Sequence, residues 1–226
     1  MNEDYYLDFQ RYPLETWKGE LKESKLLPSR QILKEDLEAR FKVLKEQGIS
    51  NLQELMDALK TPGKARDFAS QTGLPEDYLL VLRREVMSLK PGPVNLSKFP
   101  GVNAGAIKKL EEAGIKTTLH LFRRVKTPQN REELADELGV PREDILELTQ
   151  LTDLSRVKWV GPVFARIILD SGTNTVEKLS KAKSGPLYGR LLDINQEKGY
   201  TKARFVESDL SLCIEFAKKV PIIIEY

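Results

Sequence analysis

With 226 residues, 40% of them apolar, and a formal net charge of +2, the chain has material for one large or two small water-soluble domains. The opening MNEDYY is acidic and polar, unlike a secretory signal, and the longest late apolar run, VPIII, is too short to span a bilayer. These features predict a cytoplasmic protein without a membrane partner. The single cysteine excludes an internal disulfide and a cysteine-rich zinc site.

From the N-terminus, YYLDF (5–9) is the first strand-like stretch, and its only counterpart is IIIEY (222–226) at the other end. The two are expected to pair as one short terminal β-ribbon. Everything between them reads as helix. The segment 48–82 aligns without a gap on 114–148 at an offset of 66, with 11 of 35 positions identical. A third unit follows at an offset of 58, placing Phe99-Pro100-Gly101 on Val157-Lys158-Trp159 and Pro128 on Pro186. Tandem self-similarity of this kind marks a structure assembled by duplication.

Local signals support helices inside each unit. Thr61-Pro62 and Thr127-Pro128 are N-cap residues followed by a first-turn proline, and Gly73 and Gly139 are helix stops. SGPLYGR (184–190) opens a helix of the third unit. The spacing of Val206, Leu210, Cys213, Ile214 and Ala217 gives one apolar helix face, so Cys213 is a packed core thiol. The expected fold is all-α, with three tandem repeat units. Their bounds are 1–92, with a degenerate first repeat, then 93–152, and 153–226 with a C-terminal helix.

Two stretches carry candidate chemistry. In LSKFPGVNAGAIKKLEEAGI (96–115), an apolar helix end runs into Pro100-Gly101-Val102-Asn103 before a new helix with Ile107 and Leu110 inward and Lys108 and Lys109 outward. This resembles the helix-hairpin-helix motif, apolar-x-Gly-apolar-Gly followed by a helix. Glycine there lets main-chain N–H groups converge on a phosphate at a helix N-terminus, gripping the backbone without reading bases. Asn103 stands at the second glycine position and tolerates left-handed backbone. In LSRVKWVGPVFARIIL (154–169) the reverse holds: Trp159 takes the first position and Gly161 keeps the second. A tryptophan there either stacks on a base or caps the core between units. The first unit has Glu35-Asp36-Leu37 at the matching place.

The segment 132–148 fits a helix-turn-helix template, but residues 132–152 hold seven acids and one base. Phosphates repel such a face, so the segment reads as an αα corner that packs units together. Residues 101–131, in contrast, hold seven bases and two acids, and 153–204 hold ten bases and five acids. That distribution suits phosphate contact.

No catalytic constellation appears. His120 is the lone histidine, its repeat equivalents are Glu54 and Lys178, and neither a nucleophile-activating pair nor a metal-ligand spacing accompanies it. No enzyme activity, cofactor or metal is expected.

The hairpins, the stretch 152–179 and the ending AKKVPIIIEY together are similar to a domain-of-unknown-function family with tandem helix-hairpin-helix-like units, most specifically over 96–200. The resemblance implies an α-helical fold related to helix-hairpin-helix modules of DNA repair and replication. It implies phosphate contact at Gly101, Val102, Asn103, Ala104, Gly105, Lys108 and Lys109, and at Gly161, Pro162 and Arg166; from the charge distribution, Lys116, Arg123 and Arg124 are expected to add charge. The leading expectation is non-enzymatic, sequence-nonspecific nucleic-acid binding, to DNA rather than RNA. The alternative is a helical-repeat scaffold for a protein partner, with purely structural hairpins. Nothing in the sequence specifies an oligomeric state.

Overall fold

A computed structural model describes residues 4–24 and 26–226. It contains α-helices and short 3-10 turns, and no β-strand among the described residues. The chain divides into two compact units, one of residues 7–90 and one of 91–226 together with 4–6.

The 7–90 unit holds α1 (Leu14–Glu23), α2 (Leu37–Glu46), α3 (Leu52–Ala58), α4 (Pro62–Thr72) and α5 (Glu76–Ser88). Its centre is α5, whose Tyr78, Leu79, Leu82 and Val86 are buried where it packs on α3 and α4. Burying each such aliphatic side chain contributes about 2 kcal/mol. Trp17 of α1 meets Phe41 of α2 with ring centroids 6.0 Å apart.

The 91–226 unit holds α6 (Ala104–Glu112), α7 (Thr118–Phe122), α8 (Pro128–Leu138), α9 (Arg142–Leu154), α10 (Pro162–Asp170), α11 (Val176–Ser180), α12 (Ser184–Lys198) and α13 (Glu207–Ala217). Here α9 is central, buried along Ile145, Leu148, Leu151 and Leu154, and touches α7, α8 and α10. The acidic 132–148 segment is indeed an αα corner between α8 and α9, and Cys213 is buried on α13.

Helix starts follow local chemistry. Thr61 and Thr127 accept hydrogen bonds from the amides of Lys64 and Asn130, each ahead of a proline in the first turn. Asn51, Thr117 and Thr175 cap α3, α7 and α11 in the same way. The bounds of α4 and α5 fall 66 residues before those of α8 and α9, and the bounds of α6 and α7 fall 58 before those of α10 and α11.

The expected terminal β-ribbon is absent. Phe9 opens a 3-10 turn instead, while Tyr5, Phe122 and Ile224 form a small buried cluster. The buried Arg156 guanidinium donates to the carbonyls of Asp4, Tyr5 and Pro221 at 3.2, 3.1 and 2.7 Å. Its Nη1 donates to Asp153 Oδ1 at 2.7 Å. The other Asp153 oxygen accepts from the Val176 amide and the Tyr226 hydroxyl. A lone two-stranded ribbon is marginal in water, whereas a guanidinium offers five donors in a fixed fork. Residues 4, 5, 221 and 226 are therefore held on one buried ion pair rather than in a ladder, while Glu225 is held separately by the Lys126 carbonyl and the Arg131 guanidinium. Burial pushes the Asp153 carboxyl upward, with Arg156 opposing the shift.

Candidate nucleic-acid interface

The first hairpin leaves the 3-10 turn Leu96–Lys98 through buried Phe99 and turns at Pro100-Gly101. Gly101 has φ +75, a left-handed backbone that favours glycine. Asn103 does not take the left-handed conformation expected for it. It is the extended N-cap of α6, with φ −65 and ψ 114. Its Oδ1 accepts from the amides of Gly105 at 2.9 Å and Ala106 at 3.3 Å. The side chain that replaces the second glycine thus occupies two of the donors that a phosphate would want. The amides of Gly101, Asn103 and Ala104 have no hydrogen-bond partner among the described residues, and all three residues are exposed. Val102 beside them is half-buried.

The expected cations divide into two groups. Lys108 is exposed, with only a 3.9 Å approach to Glu112, and Lys116 is exposed on the loop after α6. Arg123 is exposed as well and has a partner within the molecule. The other three are also used internally. Lys109 donates to the carbonyl of Gly139 at the end of α8, 2.5 Å away, an ammonium at a helix C-terminus. Arg124 pairs with Glu137 at 2.6 Å. Arg166 is 4% exposed: its Nε donates to the Pro100 carbonyl at 2.7 Å, and its Nη1 meets Glu147 at 2.7 Å and Asp170 at 3.3 Å. It is a strut from α10 to the first hairpin, closed off from a ligand.

The second hairpin inverts the backbone roles. Trp159 carries the left-handed conformation, φ +68, in register with Gly101. Gly161 lies at φ −76 and ψ 176, open to any residue, and an added Cβ would meet nothing within 4 Å. Pro162 opens α10. The amides of Val160 and Gly161 already bond to the carbonyls of Val157 and Trp159. Trp159 is 48% exposed, and the Lys158 ammonium sits 4.2 Å from its ring centroid.

Among the described residues, no group of three or more His, Cys, Asp and Glu is placed to hold a metal ion, and no helix is long and apolar enough to cross a membrane. His120 is exposed and accepts a hydrogen bond from the Lys116 amide through Nδ1. A family model described as Domain of unknown function (DUF4332) matches residues 100–220, just over half the chain. The chain belongs to this family. No curated protein and no solved structure matches it.

The DUF4332 region begins at Pro100, the first residue of the first hairpin turn, and runs through the second hairpin. It also contains two acids that the sequence reading passed over. Asp144 of α9 accepts from Asn103 Nδ2 at 2.8 Å, and Glu147, one turn later, holds Arg166. Both lie in the acidic stretch that reads as a mere corner, and no sequence signal places that stretch beside the hairpin 41 residues earlier. Lys158 was likewise passed over, because its distinction is its position over the Trp159 ring and not its residue type.

Proposed function

We propose that this protein binds nucleic acid without reading sequence, DNA in preference to RNA, with the first hairpin contacting phosphate. One observation carries the reading: the exposed, unpartnered amides of Gly101, Asn103 and Ala104 at the mouth of α6. Lys108, Lys116 and Arg123 supply the cationic field; Lys109, Arg124 and Arg166 position the elements around it. Asn103 and Asp144 weaken the clamp, the first by filling donors and the second by its negative charge, so the affinity is low. The matching helix bounds at offsets of 66 and 58 fit tandem duplication into units 1–92, 93–152 and 153–226, of which only the second keeps an open hairpin. On this reading the protein works as a cytoplasmic, non-enzymatic binding module.

The test is a fluorescence-anisotropy titration with single- and double-stranded DNA and RNA. Three phosphate contacts on duplex predict about a 40-fold loss of affinity between about 50 and about 200 mM salt. Gly101→Glu abolishes binding, while a thermal melt reports a folded protein. Full binding by that variant at low salt removes the hairpin from the site. A second reading, a scaffold for a protein partner, is favoured by the Asn103–Asp144 bond and the inward cations. Recovery of one protein partner that survives nuclease treatment, with no oligonucleotide bound at low salt, decides for it.

A further inference from the structure

We infer that the straight segment 201–206, between α12 and α13, is a docking edge for an extended acidic peptide, which adds to it as a β-strand. This surface is separate from the first hairpin and stands whether or not the nucleic-acid reading does. Residues 201–206 run to the start of α13 with neither turn nor bend. Thr201 donates through its amide to Asn195 Oδ1 and accepts at its carbonyl from Asn195 Nδ2, both at 3.0 Å. The Phe205 carbonyl accepts from the Tyr188 hydroxyl at 3.3 Å. The segment thus retraces α12 backwards: four extended steps cover about 13 Å, close to the rise of about 10 Å from Tyr188 to Asn195. Phe205 pins it there, its ring centroid 5.3 Å from that of Phe164 and 5.8 Å from that of Tyr188.

In an extended chain, alternate residues turn their main-chain groups to the same edge. The main-chain bonds to α12 come from Thr201 and Phe205, and the Ala203 amide closes on the Thr201 hydroxyl at 3.0 Å. Lys202 and Arg204 face the other way. Neither the N–H nor the C=O of either residue has a hydrogen-bond partner among the described residues, and both residues are exposed. Donors and acceptors alternating along a free edge are what a second strand pairs with. A phosphate uses the donors alone and is repelled by the carbonyls between them, so the edge suits a peptide better than a nucleic-acid backbone. Charge then selects the peptide. The Lys202 and Arg204 side chains have no ion-pair partner among the described residues. The next acids along the chain, Glu207 and Asp209, are held by the Ser184 hydroxyl and the Val206 amide. Cations on an edge repel the same edge of a second copy, and attract carboxylates at alternate positions of an opposing strand. Val206, 52% exposed at the end of the edge, adds an apolar contact.

The experiment titrates the full chain with a short fluorescein-labelled peptide of alternating Glu and Val, reading anisotropy at low and high salt. Expected is saturable binding that weakens as salt rises, and none by the matching Lys and Val peptide. Arg204→Ala and Arg204→Pro both remove the charge, and the second also removes the outward N–H, which has no internal partner to lose. Arg204→Pro therefore binds about fivefold more weakly than Arg204→Ala, at the same melting temperature. Methylated peptides test the same point on the unaltered chain. Methylating one alternate set of the peptide's amide nitrogens abolishes binding and methylating the other set leaves it, because only one edge of an added strand pairs. Replacing Lys202→Glu and Arg204→Glu together switches the preference to the Lys and Val peptide. No saturable binding of the Glu and Val peptide at low salt overturns the docking edge. Equal affinity for the two methylated peptides overturns strand addition. If the joint variant loses oligonucleotide binding while no peptide binds the unaltered chain, the two cations belong to a phosphate contact and the peptide assignment is overturned.

Discussion

Replacing Asn103 with glycine separates a clamp that is partly self-filled from a turn that is purely structural. In the native hairpin, Asn103 Oδ1 holds the amides of Gly105 and Ala106, and Nδ2 holds Asp144. Glycine at an N-cap forfeits only a few tenths of a kcal/mol relative to asparagine. Losing the exposed bond to Asp144 adds at most about 1 kcal/mol. The folded state therefore loses about 1 kcal/mol, a fall in melting temperature of about 2–4 °C for a chain of this size. Against that, two main-chain donors join the three already free at the mouth of α6. A hydrogen bond to a charged acceptor contributes about 1.5–3 kcal/mol net of its exchange with water. One such bond at the low end of that range, about 1.4 kcal/mol, corresponds to tenfold tighter binding. Asn103→Gly should thus melt slightly earlier and bind oligonucleotide about tenfold more tightly, as read by calorimetry and anisotropy on the same preparation. An affinity that is unchanged or reduced, with the small thermal shift in place, refutes the claim that Asn103 occupies a phosphate's place.

Three further outcomes follow from the same geometry. Asp144→Asn keeps the shape next to Asn103 but removes a charge, and should tighten binding about two- to fivefold at low salt and much less at high salt; equal gains at both ionic strengths would exclude an electrostatic cause. Arg166→Ala strips the partners from the Pro100 carbonyl and two carboxylates that are only partly exposed, and should lose about 2–3 kcal/mol, a drop of about 5–10 °C in a thermal melt; a smaller loss would mean that water replaces the strut. The Cys213 thiol is pushed up to about 12, first by burial and then by Asp209, so almost none is thiolate at neutral pH. Alkylation of the native protein should be at least about a hundredfold slower than in denaturant, and should accelerate as pH approaches 12; fast native labelling near neutrality would show that α13 opens.

The sequence by itself determined what local interactions decide. Thr61-Pro62 and Thr127-Pro128 start helices because a hydroxyl three residues from an amide caps it wherever the segment lies, and Cys213 is buried because its helix has one apolar face. The DUF4332 family resemblance was legible in the hairpins for the same reason, since each is a contiguous run of residues. Tertiary structure alone decided where charge ends up. Nothing within a few positions of Lys109 or Arg166 says that one caps α8 and the other ties α10 to Pro100, because their partners lie 30 and 66 residues away. The chain ends show the same division. YYLDF and IIIEY carry the strand-like pattern of a ribbon, yet the carbonyls of Asp4, Tyr5 and Pro221 are taken by a guanidinium from the middle of the chain. A buried arginine must satisfy its donors wherever acceptors are found, and that requirement, set by distant packing, outweighed the local preference of both ends.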